Sequence, residues 1–322
     1  MVTGMWLTAR STIGRGRSRT IAGGLPALAL AAFLASCTSP VFAPGGSTPP
    51  SPPDEARPGD RIHQQAQDAL VRWADAVRES GGASITFVGE LTSQIGDWEA
   101  ENGDNKAALI AGLVEPVTDL PTESPPRREV KWVDGTTIDV NVLSAEAAFE
   151  DLVAAGEGDC GKCAALRVTE ANLATGLVET SRGPAEVPMW VYGVAGTNVR
   201  ITRVAVDDSV TVTPPPWNAE DPPVGVRIDW AKGADDSRDV EVGFVGAPDD
   251  GSKPCGADYT ADAVESEIAV VVIVEEHRNP TPGACLGVGA IRTADVRLES
   301  RLGDRVVLEV QQGLPVRFEP RS

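Results

Sequence analysis

Histidine is nearly absent. His63 and His277 are the two in 322 residues. A Ser–His–Asp triad needs an imidazole between nucleophile and carboxylate, and neither histidine accompanies a G-x-S-x-G nucleophile motif. Lysine is scarce as well, with five residues against 23 arginines, which fits a coding bias better than a function. No apolar run approaches the roughly 20 residues a membrane-spanning helix needs; the stretch from Ile21 to Phe33 stops at 13. No EF-hand D-x-D-x-D-G pattern occurs. The Asp-rich turns at Asp207-Asp208, Asp235-Asp236 and Asp249-Asp250 therefore read as solvated loops before they read as Ca²⁺ sites. No repeat of 20 to 50 residues and no heptad is present. Paired carboxylates exist in number, but no spacing singles out a hydrolytic pair.

Positive charge is also in deficit. The chain holds 28 basic and 47 acidic residues. Four of the arginines (Arg10, Arg15, Arg17 and Arg19) precede Cys37, where no acidic residue occurs. Without them 24 basic residues face 47 acidic ones, a net charge of −23. Such a surface repels nucleic acid and anionic head groups. It favours cationic partners, or it simply keeps the chain soluble.

What is present begins with a basic leader, a short apolar run and small residues, the marks of a secretory signal. Leu34-Ala35-Ser36-Cys37 then reads as a lipobox, with the Cys37 thiol as the site of lipid attachment and the first mature residue. The plainer alternative is an ordinary cleaved signal with a cut after Ala43, which Pro44 disfavours. The lipobox predicts a signal peptide over 1–36 and anchoring at the outer face of the membrane. Residues 37–60 hold seven prolines among Gly and Ser and read as an extended tether.

Apolar residues make up 42% of the chain, enough for a packed core. Ile62, Ala66, Leu70, Trp73 and Val77 share one face of a helix over 61–80, capped near Asp60 and stopped by Gly81-Gly82. Strand-like sequence follows at 85–91 and over the apolar run 107–114. Residues 130–142 form a hairpin around Asp134-Gly135, expected as a type I′ turn. Ser144 caps a helix to Ala155 with Phe149, Leu152 and Val153 facing inward. Strands are expected at 166–169, 177–181, 186–192 and 199–206, then a Pro-broken boundary at 214–223. Beyond it every regular segment looks β. The run Ile268 to Val274 has the character of a strand buried on both faces, and Gly303-Asp304 is a turn candidate between strands at 293–299 and 305–310. The fold class is β-rich α+β. It comprises an α+β domain over 61–213, with two helices packed on a sheet, and a sandwich-like β domain over 214–322.

Four cysteines remain beyond Cys37. An even number outside the cytoplasm points to disulfides. Of three pairings, Cys160–Cys163 with Cys255–Cys285 keeps each pair within one expected domain. Cys160-Gly161-Lys162-Cys163 also matches the C-x-x-C of thiol–disulfide oxidoreductases. There the first cysteine sits at a helix N-terminus, which lowers its pKa; here a helix precedes the motif and a strand follows. A four-cysteine zinc site would require a second close pair. Residues 156–162 match G-x-x-x-x-G-K, but Cys163 stands where a P-loop has Ser or Thr, and the helix–loop–strand order is reversed.

The segments Lys131-Trp132-Val133-Asp134-Gly135, Cys160 with Cys163, Thr180 to Trp190, Cys255-Gly256-Ala257-Asp258-Tyr259 with Val264-Glu265-Ser266, and Leu302-Gly303-Asp304-Arg305 resemble a group of uncharacterised lipoproteins from actinobacteria. Together they cover most of 84–310. The resemblance implies location and no catalytic residue, cofactor or metal. Within it, Arg182, Trp190 and Tyr192 offer a cation and aromatic faces near a Gly-Pro turn, suited to ligand contact; the plainer reading is a structural turn with Trp190 in the core. The sequence thus points to a non-enzymatic, lipid-anchored envelope protein with a cell-wall or protein partner and no nucleic acid. The alternative is an extracytoplasmic thiol–disulfide oxidoreductase using Cys160 and Cys163.

Overall fold

The computed structural model describes residues 58–81, 84–98, 103–213, 223–281, 284–285 and 287–321. The leader with Cys37, the tether up to residue 57 and the Pro-rich stretch 214–222 lie outside the described residues. Residues 54–322 cluster as one compact unit. Its elements give a β-rich α+β fold.

The first half contains α1 (Pro58–Glu79), β1 (Thr92–Ile95), α2 (Gly103–Ile110), β2 (Val114–Pro116), β3 (Arg128–Trp132), β4 (Thr137–Val140), α3 (Ala145–Ala154), β5 (Leu166–Val178), β6 (Ala185–Val194) and β7 (Arg200–Val204). Its sheet runs β1-β7-β6-β3-β4, with β5 on the other edge of β6 and β2 parallel to the start of β5. The long β5–β6 hairpin is the frame. On one face Trp190, Tyr192, Val168 and Ile201 meet Phe149, Leu152 and Ala148 of α3 and Ala108 of α2. On the other, Val187 and Met189 pack with Val130, Trp132, Val140 and Ile85.

Ser144 caps α3 as its position predicts, with its hydroxyl accepting from the Ala147 N–H at 3.1 Å. Phe149 and Leu152 are buried, but Val153 is 38% exposed, one position off the buried stripe. The apolar run 107–114 is not a strand. Its Ala-Ala-Leu-Ile core forms α2, in keeping with the helix preference of Ala and Leu, and only Val114 onward is extended. Gly112 (φ +65°) makes the break, and a Cβ there would lie 2.5 Å from the Val153 carbonyl oxygen of α3. The Asp134-Gly135 hairpin forms, but its loop has three residues. Gly135 alone has positive φ (+87°), and Lys131 pairs with Thr137. That is a turn closed by a left-handed glycine and not the two-residue type I′ form.

The second half contains β8 (Ile228–Gly233), β9 (Asp239–Gly246), β10 (Ala257–Glu265), β11 (Ala269–Arg278), β12 (Ala290–Arg297), β13 (Val306–Glu309) and β14 (Arg317–Pro320). Two sheets, β10-β11-β13 and β12-β9-β8-β14, bury a shared core of Val240, Val242, Phe244, Val270, Val272, Val274 and Phe318. Gly303 turns (φ +57°) as expected, but no hairpin results. β12 pairs with β9, while β13 pairs in parallel with β11 in the facing sheet, so the turn carries the chain between layers.

β11 is buried on both faces, as its apolar run predicts. The residues that cover its second face come from far upstream. Ala269, Val271 and Ile273 pack against Ile62, Ala66, Ala69 and Trp73 of α1. The helix therefore joins the sandwich as a third layer, and it does not pack on the sheet that follows it in sequence. Gln65 fixes the docking: its amide donates to the carbonyls of Val310 (2.7 Å) and Val224 (3.1 Å) and accepts from the Val224 N–H (3.1 Å). α1 begins at Pro58, two residues before Asp60, because a proline at the first helical position sacrifices no hydrogen bond and presets φ.

Arg305 ties off the end of the sandwich at the β10–β11 turn. Its side chain, 9% exposed, pairs with Glu265 (13% exposed) at 2.6 Å. It also donates to the carbonyls of Ser300 and Arg301. Burial pushes the Glu265 carboxyl up, but Arg305 and the N–H groups of Glu299 and Ser300 outweigh it and hold the pKa below its ordinary 4.5. A carboxylate with a depressed folded-state pKa stabilises above its unfolded-state pKa and loses that contribution as pH falls through the folded value. Wild-type stability should therefore decline as the pH drops from about 4.5, and Glu265→Gln should remove part of that slope while lowering stability at pH 7. Urea midpoints measured from pH 7 to pH 3 check this; parallel curves for the two proteins would refute it.

Candidate binding cleft

Arg182, Trp190 and Tyr192 are not gathered into one site. Trp190 and Tyr192 point into the core beneath α3. The Trp190 indole donates to the Leu143 carbonyl (2.9 Å), and the Tyr192 hydroxyl donates to the Ala145 carbonyl (2.7 Å). Tyr192 has no exposed surface, and burial pushes its phenol well above the usual range. Arg182 lies at the β5–β6 turn. Its guanidinium stacks 4.8 Å over Trp132 and approaches Asp134 at 3.8 Å. The turn is built from within: Thr180 Oγ1 accepts from the Trp132 indole (3.0 Å) and donates to the Gly183 carbonyl (2.6 Å). Gly183 has φ +106°, and a Cβ there would sit 3.1 Å from Pro320 Cδ, so this turn is where the first half abuts β14.

Both expected disulfides form, Cys160–Cys163 and Cys255–Cys285, with Cα separations of 5.5 and 5.6 Å. The oxidised pairs mark a protein of extracellular type. Cys160–Cys163 closes a turn between α3 and β5, where Asp159 accepts from the Gly161 N–H (2.7 Å). No helix begins at the motif in sequence; Cys163 Sγ instead lies 3.4 Å from the Asp104 carbonyl in the first turn of α2. The two histidines are surface residues. His63 takes Gly59 and Asp262 as partners (2.9 and 3.5 Å), and its pKa is raised, chiefly through Gly59. His277 pairs with Thr260 Oγ1 (2.8 Å) on an open strand face. The Asp-rich turns cap themselves: Asp207 accepts from the Ser209 N–H and Asp250 from the Ser252 N–H. Among the described residues no three His, Cys, Asp or Glu side chains converge in a way that could hold a metal, and no helix is long and apolar enough to cross a membrane.

The arrangement best suited to holding a ligand lies at the disulfide end of the sandwich. A cleft of about 820 Å³ opens between the ends of β9, β10 and β11 and the segment before β12, with both Cys255 and Cys285 in its wall. A second hollow of about 360 Å³, lined by Arg227, Asp229, Tyr259 and Gln311, adjoins it across Val245, Glu276 and Arg278. These volumes fall in the range of small-molecule sites. The dividing wall is ordered by its own bonds. Tyr259 OH accepts from the Ala247 N–H (2.6 Å) and donates to Glu276 Oε1 (3.1 Å), while Arg278 Nε donates to Glu276 Oε2 (2.6 Å). Phe244 meets the Tyr259 ring edge-on at 4.8 Å, and the Arg292 guanidinium stands 5.9 Å over it. Burial raises the Tyr259 phenol above its ordinary pKa, so at neutral pH it is a hydrogen-bonding group and not a phenolate.

The rim is apolar. Val245 and Val288 are each 61% exposed and Ile291 is 80% exposed, and Ile291 sits directly opposite Val245 in the β9–β12 ladder. An exposed apolar cross-strand pair thus stands beside the concave wall. The wall backbone is held from below: Asn279 donates to the Gly251 carbonyl (2.7 Å), its N–H donates to the Gly256 carbonyl (2.9 Å), and Cys255 adopts φ +65°. The opposite end of the sandwich has a comparable hollow around Glu265 and Arg305, but there these two side chains are already consumed by the bonds described above.

Sequence reasoning missed Glu276, Arg278, Arg292 and the Val245–Ile291 pair. The two distant cysteines that bracket this end are the signal that could have led to it. No family model, curated protein or solved structure matches the chain.

Proposed function

We propose that the chain is a non-enzymatic, lipid-anchored envelope protein that binds a ligand or partner outside the cytoplasm through the cleft beside Cys255–Cys285. The observation that carries the extracytoplasmic part is the pair of disulfides, which persist only in an oxidising compartment. The lipobox at Cys37 and the resemblance to actinobacterial lipoproteins supply the anchor, with the acyl chains in the membrane and the Pro-rich segment as spacer. Ordered polar groups beneath an exposed apolar rim support the binding reading. Cys160–Cys163 is read as a structural clasp, since it closes the turn between α3 and β5 and Cys163 Sγ rests against the first turn of α2.

The anchor is tested by Cys37→Ala in a lipoprotein-processing bacterium. Wild type should incorporate labelled palmitate and enter the detergent phase, whereas the variant should do neither. Identical fractionation of the two, without label in either, would overturn it.

A further inference from the structure

The strand β5 has an outer edge that is open in its middle. Thr180 and Gly183 exchange two backbone bonds (3.2 and 3.1 Å), so the even-numbered residues from Glu170 to Thr180 direct their N–H and C=O groups at β6 and the odd-numbered ones direct theirs away. At the start of β5 the outward groups are taken: β2 pairs there in parallel, Val117 N–H donates to the Val168 carbonyl (2.9 Å) and Thr118 Oγ1 to the Thr169 carbonyl (3.3 Å). At the far end Val88 N–H donates to the Glu179 carbonyl (3.0 Å), and Ser181 N–H donates to the Thr86 carbonyl (2.9 Å). Between these two seals, Ala171, Leu173, Thr175 and Leu177 turn four N–H and four C=O groups outward with no strand beside them among the described residues. The gap is about 23 Å long at roughly 3.3 Å per residue.

Exposed edges are ordinarily protected by charge, proline or a bulge. This one has none of these over its open length. Ala171 to Val178 is the uncharged run Ala-Asn-Leu-Ala-Thr-Gly-Leu-Val in a chain that is 23% charged, and Leu177 stands 64% exposed on it. Edge groups that must be satisfied, a slot bounded at both ends and an apolar side chain left beside it are the requirements for strand addition.

We propose that the open edge of β5 is a β-augmentation site for an extended peptide segment of a partner protein, about seven residues long, free of proline, apolar at alternate positions and flanked by Lys or Arg. The cationic flanks follow from the net charge of −23 on the chain beyond its leader. The chain's own tether does not qualify, because its prolines leave no seven-residue run with intact N–H groups. A second copy does not fit either: pairing β5 with itself about Ala174 would set the partner's Glu179 against Thr169, where Thr118 already lies. This site depends neither on the anchor nor on the disulfide cleft.

Amide hydrogen exchange provides the test, with an eight-residue peptide of alternating Thr and Val between terminal lysines as probe. In the free protein the amides of Ala171, Leu173, Thr175 and Leu177 should exchange fast while those of Asn172, Ala174 and Gly176 are protected; adding the probe should protect the outward set alone. Thr175→Pro removes one outward N–H without touching the β6 ladder and should weaken probe binding at least tenfold with unchanged circular dichroism. Should that variant fold poorly, Leu177→Lys, which repels the lysines, should weaken binding as well. Slow exchange of the outward amides in the free protein, no binding at millimolar probe, or equal binding by both variants would overturn the proposal. So would concentration-dependent dimerisation that Thr175→Pro abolishes, which would assign the edge to a second copy.

Discussion

Replacing Cys255 and Cys285 together by serine should lower the unfolding free energy by about 3.6 kcal/mol, from the chain entropy of closing a loop of about 30 residues. The two residues are 30 positions apart, and the loop they close contains the whole β10–β11 hairpin. In the unfolded chain that closure removes conformations; in the folded chain it pins the wall of the cleft at Cys255, a residue in the left-handed region. The double variant should therefore show two effects, a lower urea midpoint and faster exchange of the Ala247 and Gly256 amides. The bridge at Cys160 and Cys163 closes only a three-residue separation, and on the same relation its removal should cost about 1.6 kcal/mol, less than half as much. Equal losses from the two double variants would refute the assignment of the long bridge as the one that holds the site.

Trp73→Ala should cost about 3–5 kcal/mol, the usual range for truncating a buried tryptophan. Trp73 is 2% exposed between α1 and the outer face of β11. The informative readout is where the loss is felt. Amide protection should fall first in β11 and β13, whose second face α1 covers, and later or less in β5 and β6, which α1 does not touch in the core clusters. A uniform loss, or one concentrated in β6, would contradict the placement of α1 as the third layer of the sandwich. Gln65 sits on the same helix and reads the backbone at Val224 and Val310, so the layer is held by directional bonds as well as by area.

Parts of this architecture are legible without coordinates, and the reasons differ by element. Period-four apolar spacing marks α1 because a helix shows its stripe whatever it packs against. The run at Ile268–Val274 marks a doubly buried strand because only burial on both faces tolerates apolar residues at every position. Ser144 marks a helix start because its hydroxyl serves a local N–H. The run 107–114 misleads because a short apolar stretch carries no period; there Ala and Leu content decides for helix. The Gly303 turn misleads because turn residues specify a reversal of direction and not which sheet receives the next strand.

The candidate site was less legible still. Trp190 and Tyr192 lie in alternation on a strand, and alternation alone does not say whether the face they share looks onto solvent or onto α3. The residues of the cleft and its adjoining hollow come from separate segments between 225 and 311 that approach one another only when the two sheets are stacked.

The sequence by itself determined much of the local chemistry: most stretches of helix or strand though not 107–114, where turns require glycine, a cysteine set suited to two disulfides, and an acidic composition. Only the tertiary structure decided that α1 covers β11, that Arg182 stands apart from Trp190 and Tyr192, that a cleft forms beside Cys255–Cys285, and that β5 keeps an open edge. The division has one physical cause. Backbone preference and capping act within a few residues and leave their mark in local composition. Layer order, concavity and unpaired edges arise from contacts between segments up to 245 residues apart, as Gln65 and Val310 are, and no local pattern encodes them.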